Sequence, residues 1–345
     1  MFKFLFKYFF VLIILWFTGT TIVHAQDIQF SQYYAVPFYQ NPAFVGGLHH
    51  TRGTLHQRVQ WPGLDARYLT SLAAFDTYFS KFNSSIGVVA VQDYQGAGII
   101  STTDLNLIYA YELNLSNDFS FRPGLQLGLT RRKVDYSELT FPEQYTDKGF
   151  TGATVQGSSL GASSLYYPDV AAGGLFYNKK GWISLAAHHL NMPNQSFYGE
   201  LAKLPIKVGV TAGHKITLKK VRYMAYMENE KDFSITPTVH YKFQGKSDQM
   251  DLGVYFIWDN FQGGIWYRGI PIKETPRGYS NNESIIPMAG YRFNNFILSY
   301  SYDISISRLT TAKSYGAHEF NITYVNYANK SKKVKPLKRL PCPKF

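Results

Sequence analysis

The adjacent histidines His188 and His189 are the residues that most directly suggest metal binding or acid–base chemistry. Successive side chains of a strand point to opposite faces, so the two rings cannot ligate one ion together unless the strand carries a bulge. Serines, histidines and acids occur throughout the chain, but no spacing singles out a nucleophile with its base. The sequence therefore predicts that the protein is not an enzyme and that it holds no metal or cofactor.

The C-terminal residues 329–345 carry seven Lys or Arg and no acid, among them Lys332, Lys333, Lys338 and Arg339. These charges, with those of Lys3 and Lys7, account for all but +3 of the net charge of +12, so a nucleic-acid-binding surface is excluded. Three prolines predict an extended tail that either orders on an acidic partner or phosphate or stays solvated. The single cysteine, Cys342, excludes a disulfide framework within one chain and is inert unless a partner offers a thiol.

The elements that position these residues are strands, because apolar and polar residues alternate from one end of the chain to the other. In one segment, Leu298, Tyr300, Tyr302, Ile304 and Ile306 form an apolar face, and Ser299, Ser301, Asp303, Ser305 and Ser307 form a polar face. A period of two indicates a strand, and no segment shows a sustained helical period. Such strands fit a soluble sandwich or a barrel wall between lipid and water.

Fourteen segments show this pattern. They span residues 51–61, 66–76, 84–93, 102–115, 119–133, 167–178, 181–190, 204–217, 233–243, 248–258, 262–270, 284–293, 296–306 and 317–328. Four connections are tight turns, whereas residues 134–166, 191–203, 271–283 and 307–316 form long connections. An even strand number with periplasmic turns and long extracellular loops is typical of a bacterial outer-membrane barrel. The exception is the connection over residues 218–232, which is long on the turn side.

The N-terminus predicts export to that membrane. Lys3 and Lys7 precede the apolar stretch FFVLIILWF, and VHA resembles a cleavage site, so we expect a signal peptide over residues 1–25. The alternative is an uncleaved anchor, but the apolar stretch is short against the ~20 residues that a spanning helix needs. Aromatic residues make up 17% of the chain, a proportion that favours a membrane barrel over a soluble sandwich.

We therefore predict an all-β protein, a transmembrane antiparallel up-and-down β-barrel of about 14 strands over residues 51–328, in the outer membrane. Its inner face carries charges of both signs, which fit either a hydrated pore or an interior closed by ion pairs. The candidate lumen or partner-binding residues are His188, Asn194, Tyr267, Arg268, Arg292 and Asp303.

Residues 26–50 precede the first strand segment and lack clean alternation, and Pro37 and Pro42 interrupt any strand there. The segment fits a plug in the barrel mouth, with Asn41-Pro42 forming a turn, or a periplasmic lead-in that packs beside the first strand. The candidate plug residues are Phe30, Gln32, Tyr33, Asn41 and Pro42.

Five stretches resemble a known family in the order in which that family carries them. They are FSQYYAVPFYQNPAFVGG, HHLNMPNQSF, GGIWYRG, YRFNNFILSYSYDISISRL followed by GAHEFNITY, and the terminal LPCPKF. On these motifs the chain resembles the PorP/SprF family over essentially its whole mature length. The resemblance implies an outer-membrane component of the type IX secretion system of Bacteroidota, tied to gliding motility, that helps export or anchors a secreted surface adhesin carrying a C-terminal sorting domain.

The resemblance also implies the partners. We expect the adhesin at the long extracellular loops, periplasmic components of the secretion and gliding machinery at the turns and the periplasmic tail, and outer-membrane lipid around the wall. The alternative is a passive porin or solute transporter, which shares every barrel feature and predicts steady conductance with no stoichiometric protein partner.

Overall fold

The structure of the chain is a computed structural model that describes residues 27–65, 67–96, 99–136, 139, 144–147, 149–151, 163–221, 231–274, 280–307, 311–327 and 340–341. The predicted signal peptide, residues 1–25, lies outside these ranges. So does the predicted basic tail, residues 329–345, apart from Leu340 and Pro341.

Fourteen strands close into one antiparallel barrel in which chain neighbours pair with each other. They are β1 (Thr51–Gln60), β2 (Tyr68–Phe79), β3 (Ser84–Gln95), β4 (Ile100–Tyr111), β5 (Ser120–Val134), β6 (Ser164–Tyr177), β7 (Gly181–His188), β8 (Lys207–His214), β9 (Lys231–Gln244), β10 (Ser247–Trp258), β11 (Phe261–Glu274), β12 (Ser280–Phe293), β13 (Phe296–Ser305) and β14 (Ala317–Asn326). The ring closes between β1 and β14, where Thr51 lies opposite Asn326. The predicted antiparallel barrel of about 14 strands is therefore confirmed.

Short strands extend this ring at its ends. Leu113–Asn114 continues β4 and pairs with the start of β5. Ile216–Val221 continues β8 and pairs with the start of β9, so these two strands extend into the connection that was unexpectedly long in the sequence. A hairpin of Tyr145–Thr146 and Gly149–Phe150 stands in the long β5–β6 connection.

Strand boundaries differ from the predicted ones mainly at the β11–β12 pair. The prediction ended β11 at residue 270, before Pro271, but the strand runs to Glu274, and β12 begins at Ser280. The register shifts after Arg268 and again after Ile270, so the two strands bulge around the irregular stretch and pair again beyond it.

The alternation along each strand separates a lipid-facing surface from the lumen, as the sequence predicts. Leu127 on β5 is 62% exposed on the outer wall, whereas its neighbour Gln126 points inward and is buried. On β13, Tyr300 lies outside and Ser301 and Asp303 are buried inside. A continuous apolar outer wall of this kind is the surface that a lipid bilayer covers.

The barrel has two different ends. We call the turn end the one that carries the short connections over residues 80–83, 178–180, 259–260 and 294–295. We call the loop end the one that carries the long connections over residues 135–163, 189–206 and 306–316. A short helix, α2 (Thr311–Ser314), lies in the last of these connections. Among the described residues, no helix is long and apolar enough to cross a membrane.

Candidate functional site

The N-terminal segment, residues 27–50, lies inside the barrel, and we call it the plug. It contains one turn of helix, α1 (Pro37–Gln40), and a 3-10 turn, Pro42–Phe44, and each begins with the proline whose fixed φ suits a first helical position. Nearly every plug residue from Phe30 to Val45 is buried. Of the two alternatives that the sequence left open, this position corresponds to the plug rather than to a lead-in outside the barrel.

A chain of ion pairs runs along one side of the inner wall and binds the start of the plug. We call it the charged clamp, and it consists of Asp251, Arg268, Asp303, Arg58 and Glu319 in that order. Arg268 Nε lies 2.8 Å from Asp251 Oδ1, Arg268 Nη1 lies 3.1 Å from Asp303 Oδ2, and Arg58 bridges Asp303 and Glu319. All five side chains are buried, so each charge depends on its partners for compensation.

The plug supplies further hydrogen bonds to the clamp. The backbone N–H groups of Ser31 and Gln32 donate to the Glu319 carboxylate at 2.6 and 2.9 Å. The Ser31 hydroxyl donates to Asp303 at 2.7 Å, and the Tyr33 hydroxyl donates to Asp251. Each acid of the clamp therefore binds at least one guanidinium and at least one group of the plug, which fixes the plug relative to β1, β10, β11, β13 and β14.

Aromatic rings surround the next plug residues. Tyr34 packs edge-on against Tyr255, with ring centroids 4.4 Å apart, and Tyr33 packs against Trp266 at 5.1 Å. Trp182 of β7 completes this group. Such edge-to-face pairs are favourable beyond the area they bury, and they fill the middle of the lumen.

The Asn41-Pro42 turn seats the plug against β5, β6 and β7. Asn41 Oδ1 accepts from the Ala43 N–H at 2.9 Å, and Asn41 Nδ2 donates to the carbonyls of Gly174 and Leu185 at 3.3 and 3.1 Å. The barrel wall has no side chain where this turn packs, since a Cβ at Gly124 would lie 2.4 Å from the Ala43 nitrogen. The predicted turn therefore forms, and a wall glycine makes room for it.

The plug leaves the barrel at the turn end through a second set of buried charges. Gly46 N–H donates to Asp76 at 2.7 Å, and His49 lies 2.7 Å from Glu112, which Arg122 approaches at 3.2 Å. Leu340, one of two described tail residues, is buried here in the same apolar cluster as Phe44. Buried ion pairs and apolar packing therefore both close this end of the lumen.

At the loop end, a cluster that we call the loop-end latch holds the first described residue, Asp27. Asp27 lies 2.6 Å from Lys207 Nζ and 2.8 Å from His189 Nε2, and His189 Nδ1 lies 3.0 Å from Asp169. Burial disfavours the imidazolium, but the Asp27 and Asp169 carboxylates outweigh it and raise the pKa of His189 to about 9. The pKa of Asp27 is held well below its ordinary value despite burial, because Lys207 and His189 stabilise the carboxylate.

Two cavities flank the loop-end latch, and both have Asp27 and Lys207 in their walls. The first, of about 100 Å³, lies against β4, β5 and β6 and is lined by polar groups such as Asp104, Asn106 and Gln126. The second, of about 290 Å³, lies against β9, β10 and β11. The loop-end half of the lumen is therefore partly hollow around the plug.

The predicted lumen or partner-binding residues do not form one group. His188, Arg268 and Asp303 lie inside the barrel, where His188 Nε2 bonds to the Gln40 carbonyl at 2.9 Å. Arg292 lies on the inner face near the turn end, and Asn194 lies in the β7–β8 loop, where its amide donates to the Glu200 carbonyl. Tyr267 lies on the outer wall between lumen-facing Trp266 and Arg268, and its hydroxyl donates to Asn282, so it is not a lumen residue.

The two histidines contact the plug together, although the strand rule places their side chains on opposite faces. β7 ends at His188, and His189 has a φ of 59°, so its side chain turns back over the lumen. Among the described residues, no group of three or more His, Cys, Asp or Glu is arranged to hold a metal ion. The candidate tail residues Lys332, Lys333, Lys338, Arg339 and Cys342 lie outside the described residues.

Sequence reasoning missed most of the charged clamp. Arg58, Asp251 and Glu319 stand on three strands that are far apart in the chain, and each is flanked by ordinary strand residues. The one available signal was their position on the polar face of the alternation, which marks them as inward but does not indicate which acids meet which arginines.

Comparisons with known proteins agree with this architecture. The model of a family described as "Type IX secretion system membrane protein PorP/SprF" matches residues 22–324. No curated protein matches the sequence at a significant level.

Among solved structures, the chain is similar to the Acinetobacter baumannii outer membrane protein Omp33, with 8% identity over 81% of this chain and 100% of that chain and a TM-score of 0.44. It is similar to the Pseudomonas putida toluene transporter TodX, with 8% identity over 88% and 94% of the two chains and a TM-score of 0.43. It is also similar to a Pseudomonas aeruginosa FadL homologue, with 11% identity over 82% and 92% and a TM-score of 0.41.

Proposed function

Because the chain belongs to the PorP/SprF family of type IX secretion system membrane proteins, we propose that it helps export or anchors a secreted surface adhesin carrying a C-terminal sorting domain. The family and the barrel place it in the outer membrane. In this proposal the barrel serves gliding motility by binding the adhesin, and it acts without catalysis.

The observation that carries the proposal is the plug. A passive porin conducts solutes through a water-filled lumen, whereas this lumen holds a buried segment gripped by the charged clamp. Removing such a segment requires breaking several charge-assisted hydrogen bonds, which are about twice as strong as neutral ones. A barrel filled by such a segment favours a role for its surfaces over a role as a conduit.

The loop end offers the surface for the adhesin. Large apolar side chains stand exposed there, with Tyr198 at 65%, Leu201 at 82% and Ile272 at 93% exposure. Tyr198 and Leu201 belong to the β7–β8 connection, which contains the predicted loop over residues 191–203. Tyrosine is one of the residue types that most often anchor protein interfaces, and the neighbouring aliphatic side chains add apolar area around it. The turn end and the tail are then left for periplasmic components of the machinery.

The test is to solubilise the native outer membrane gently, capture a C-terminally tagged chain and quantify what accompanies it. We expect a secreted protein with a C-terminal sorting domain in near-equal amount. The double variant Tyr198→Ser, Leu201→Ser should lose this partner, and the matched variant Phe82→Ser should keep it, since Phe82 is 70% exposed at the turn end.

The opposite result is equally informative. A barrel that is recovered alone, intact and steadily conducting in planar bilayers would replace the proposal with a passive porin. Recovery of the same adhesin with the loop variant and the wild-type chain would remove the β7–β8 loop from the interface.

A further inference from the structure

The connection between β9 and β10 is short for the loop end. This loop-end connection has only Gly245 and Lys246 between the paired residues Gln244 and Ser247, whereas the β7–β8 connection spans residues 189–206. The 290 Å³ cavity opens beneath this turn, with residues of β8 to β12 in its walls. A group presented from the loop end can therefore approach it without crossing a long loop.

Four lysines line the cavity, and two of them are already paired. Lys207 binds Asp27 at 2.6 Å, and Lys273 binds Asp248. The third carboxylate of the cavity, Glu283, lies 3.9 Å from Arg268 Nη1. Each acid in the wall thus already has a donor or a counter-ion.

The other two lysines, Lys242 and Lys246, have no carboxylate within 4 Å among the residues that the structure describes. Lys242 is part-buried on the inner face of β9. Lys246 is exposed in the β9–β10 turn and lines the same cavity. A part-buried ammonium without a counter-ion is unfavourable, and an anion in the cavity would compensate it.

We propose that this cavity, which we call the lysine notch, binds an anionic group, a carboxylate or a phosphate, between Lys242 and Lys246. Neutral polar side chains also line the site, namely Gln244, Ser247, Gln249 and Asn281. An ammonium is a compact charge with three donors, so the site accepts either anion without demanding the planar geometry that an arginine fork would impose. The inference does not depend on the adhesin, because the site lies wholly within this chain.

The test uses the purified full chain in detergent and a fluorescein-labelled hexaglutamate peptide, followed by fluorescence anisotropy. We expect saturable binding that weakens as salt is raised, because the rim of the notch is open to solvent. K242M/K246Q should lower the affinity about tenfold or more, in line with loss of two charge contacts. Inorganic phosphate, added as a competitor at constant ionic strength, shows whether the site binds phosphate as well as carboxylate groups.

Displacement of the peptide by millimolar phosphate indicates a site that takes phosphate groups as well, and failure to displace it assigns the notch to carboxylates. The matched control is K179Q/K180Q, which removes two exposed lysines from the turn end and should bind like the wild type. Because Lys246 is exposed, K246Q alone will fold and should weaken binding several-fold. Wild-type affinity in K242M/K246Q, an equal loss in K179Q/K180Q, or no binding of either probe to the wild type would overturn the proposal.

Discussion

The two ends of the lumen hold the plug in different ways. At the turn end, Gly124 leaves no space for even one methyl group beside Ala43, and the charged side chains of Asp76 and Arg122 bond to the plug backbone, at Gly46 and Val45. In the loop-end half, the plug is held mainly by ionised side chains, first the charged clamp and then the loop-end latch, and cavities remain around it.

This difference means that the turn end is closed largely by rigid packing, whereas the loop end is closed by ion pairs whose partners can change. Close packing against backbone has no low-energy alternative arrangement, because the wall cannot move without breaking its ladder of hydrogen bonds. Ion pairs beside a hollow space can exchange one partner for another, since a ligand can supply the replacement charge. We therefore expect the plug contacts at the loop end to exchange more readily than those at the turn end.

The substitution that should destabilise the loop-end half most removes Arg268 from the charged clamp. We expect Arg268→Met to destabilise the barrel by about 3–5 kcal/mol, because Asp251 and Asp303 would stay buried without that counter-ion. Unfolding in urea, followed by the heat-modifiable mobility of the barrel on gels, measures the loss.

The control for this variant is Lys179→Met, which breaks an exposed pair with Asp118 at 3.9 Å and should cost about 1 kcal/mol or less. Adding Asp251→Leu to Arg268→Met should recover part of the stability, because one orphaned charge is then gone. A double variant as unstable as the sum of its parts would mean that the clamp acts through packing and not through charge.

The matching test at the turn end is to fill the space beside Gly124. Gly124→Ala places a methyl group 2.4 Å from the Ala43 nitrogen, and we expect a loss of about 1–3 kcal/mol as the plug or the wall shifts. Gly53→Ala is the control, because a Cβ there has no heavy atom within 4 Å. Thermal melting compares the two variants. Equal melting temperatures would show that the space beside Gly124 does not hold the plug in place.

The sequence was sufficient to predict the wall of the barrel. Each strand is built from a local period of two, and the side of the wall on which Tyr300 and Asp303 fall follows from neighbouring residues alone. The position of Asn41-Pro42 as a turn also followed locally, because proline and asparagine determine their own backbone geometry. Such features need no knowledge of distant contacts.

The contents of the lumen could not be predicted in the same way. Arg58 meets Glu319 across 261 positions of sequence, and only closure of the ring between β1 and β14 brings them together. His189 departs from the strand rule because its backbone takes a φ of 59° where β7 ends. Tyr267 is among the predicted lumen or partner-binding residues, although the alternation puts it outside with the lipid-facing residues.

The smallest expected effect is that of raising the pH. It should break the contacts of the plug at the loop end and leave those at the turn end in place. His189 has a raised pKa in the folded protein, so its contribution is complete below its ordinary value of 6.5 and is lost as the pH rises through about 9. Asp27 has a lowered pKa, so its contribution is present above 3.8 and is lost only at strongly acid pH. The latch is therefore intact between these limits and opens first on the alkaline side.

Hydrogen exchange of plug peptides, corrected for the intrinsic pH dependence of exchange, measures this opening. Protection over residues 27–30 should fall between pH 8 and about 10, while protection over residues 41–46 stays constant, because the contacts of Asn41 and Ala43 contain no group that titrates there. His189→Gln should show low protection over residues 27–30 at neutral pH already, without a further alkaline step. A simultaneous loss of protection at both ends would mean that the plug moves as one rigid piece, and the distinction between the ends would then lie in their contacts and not in their dynamics.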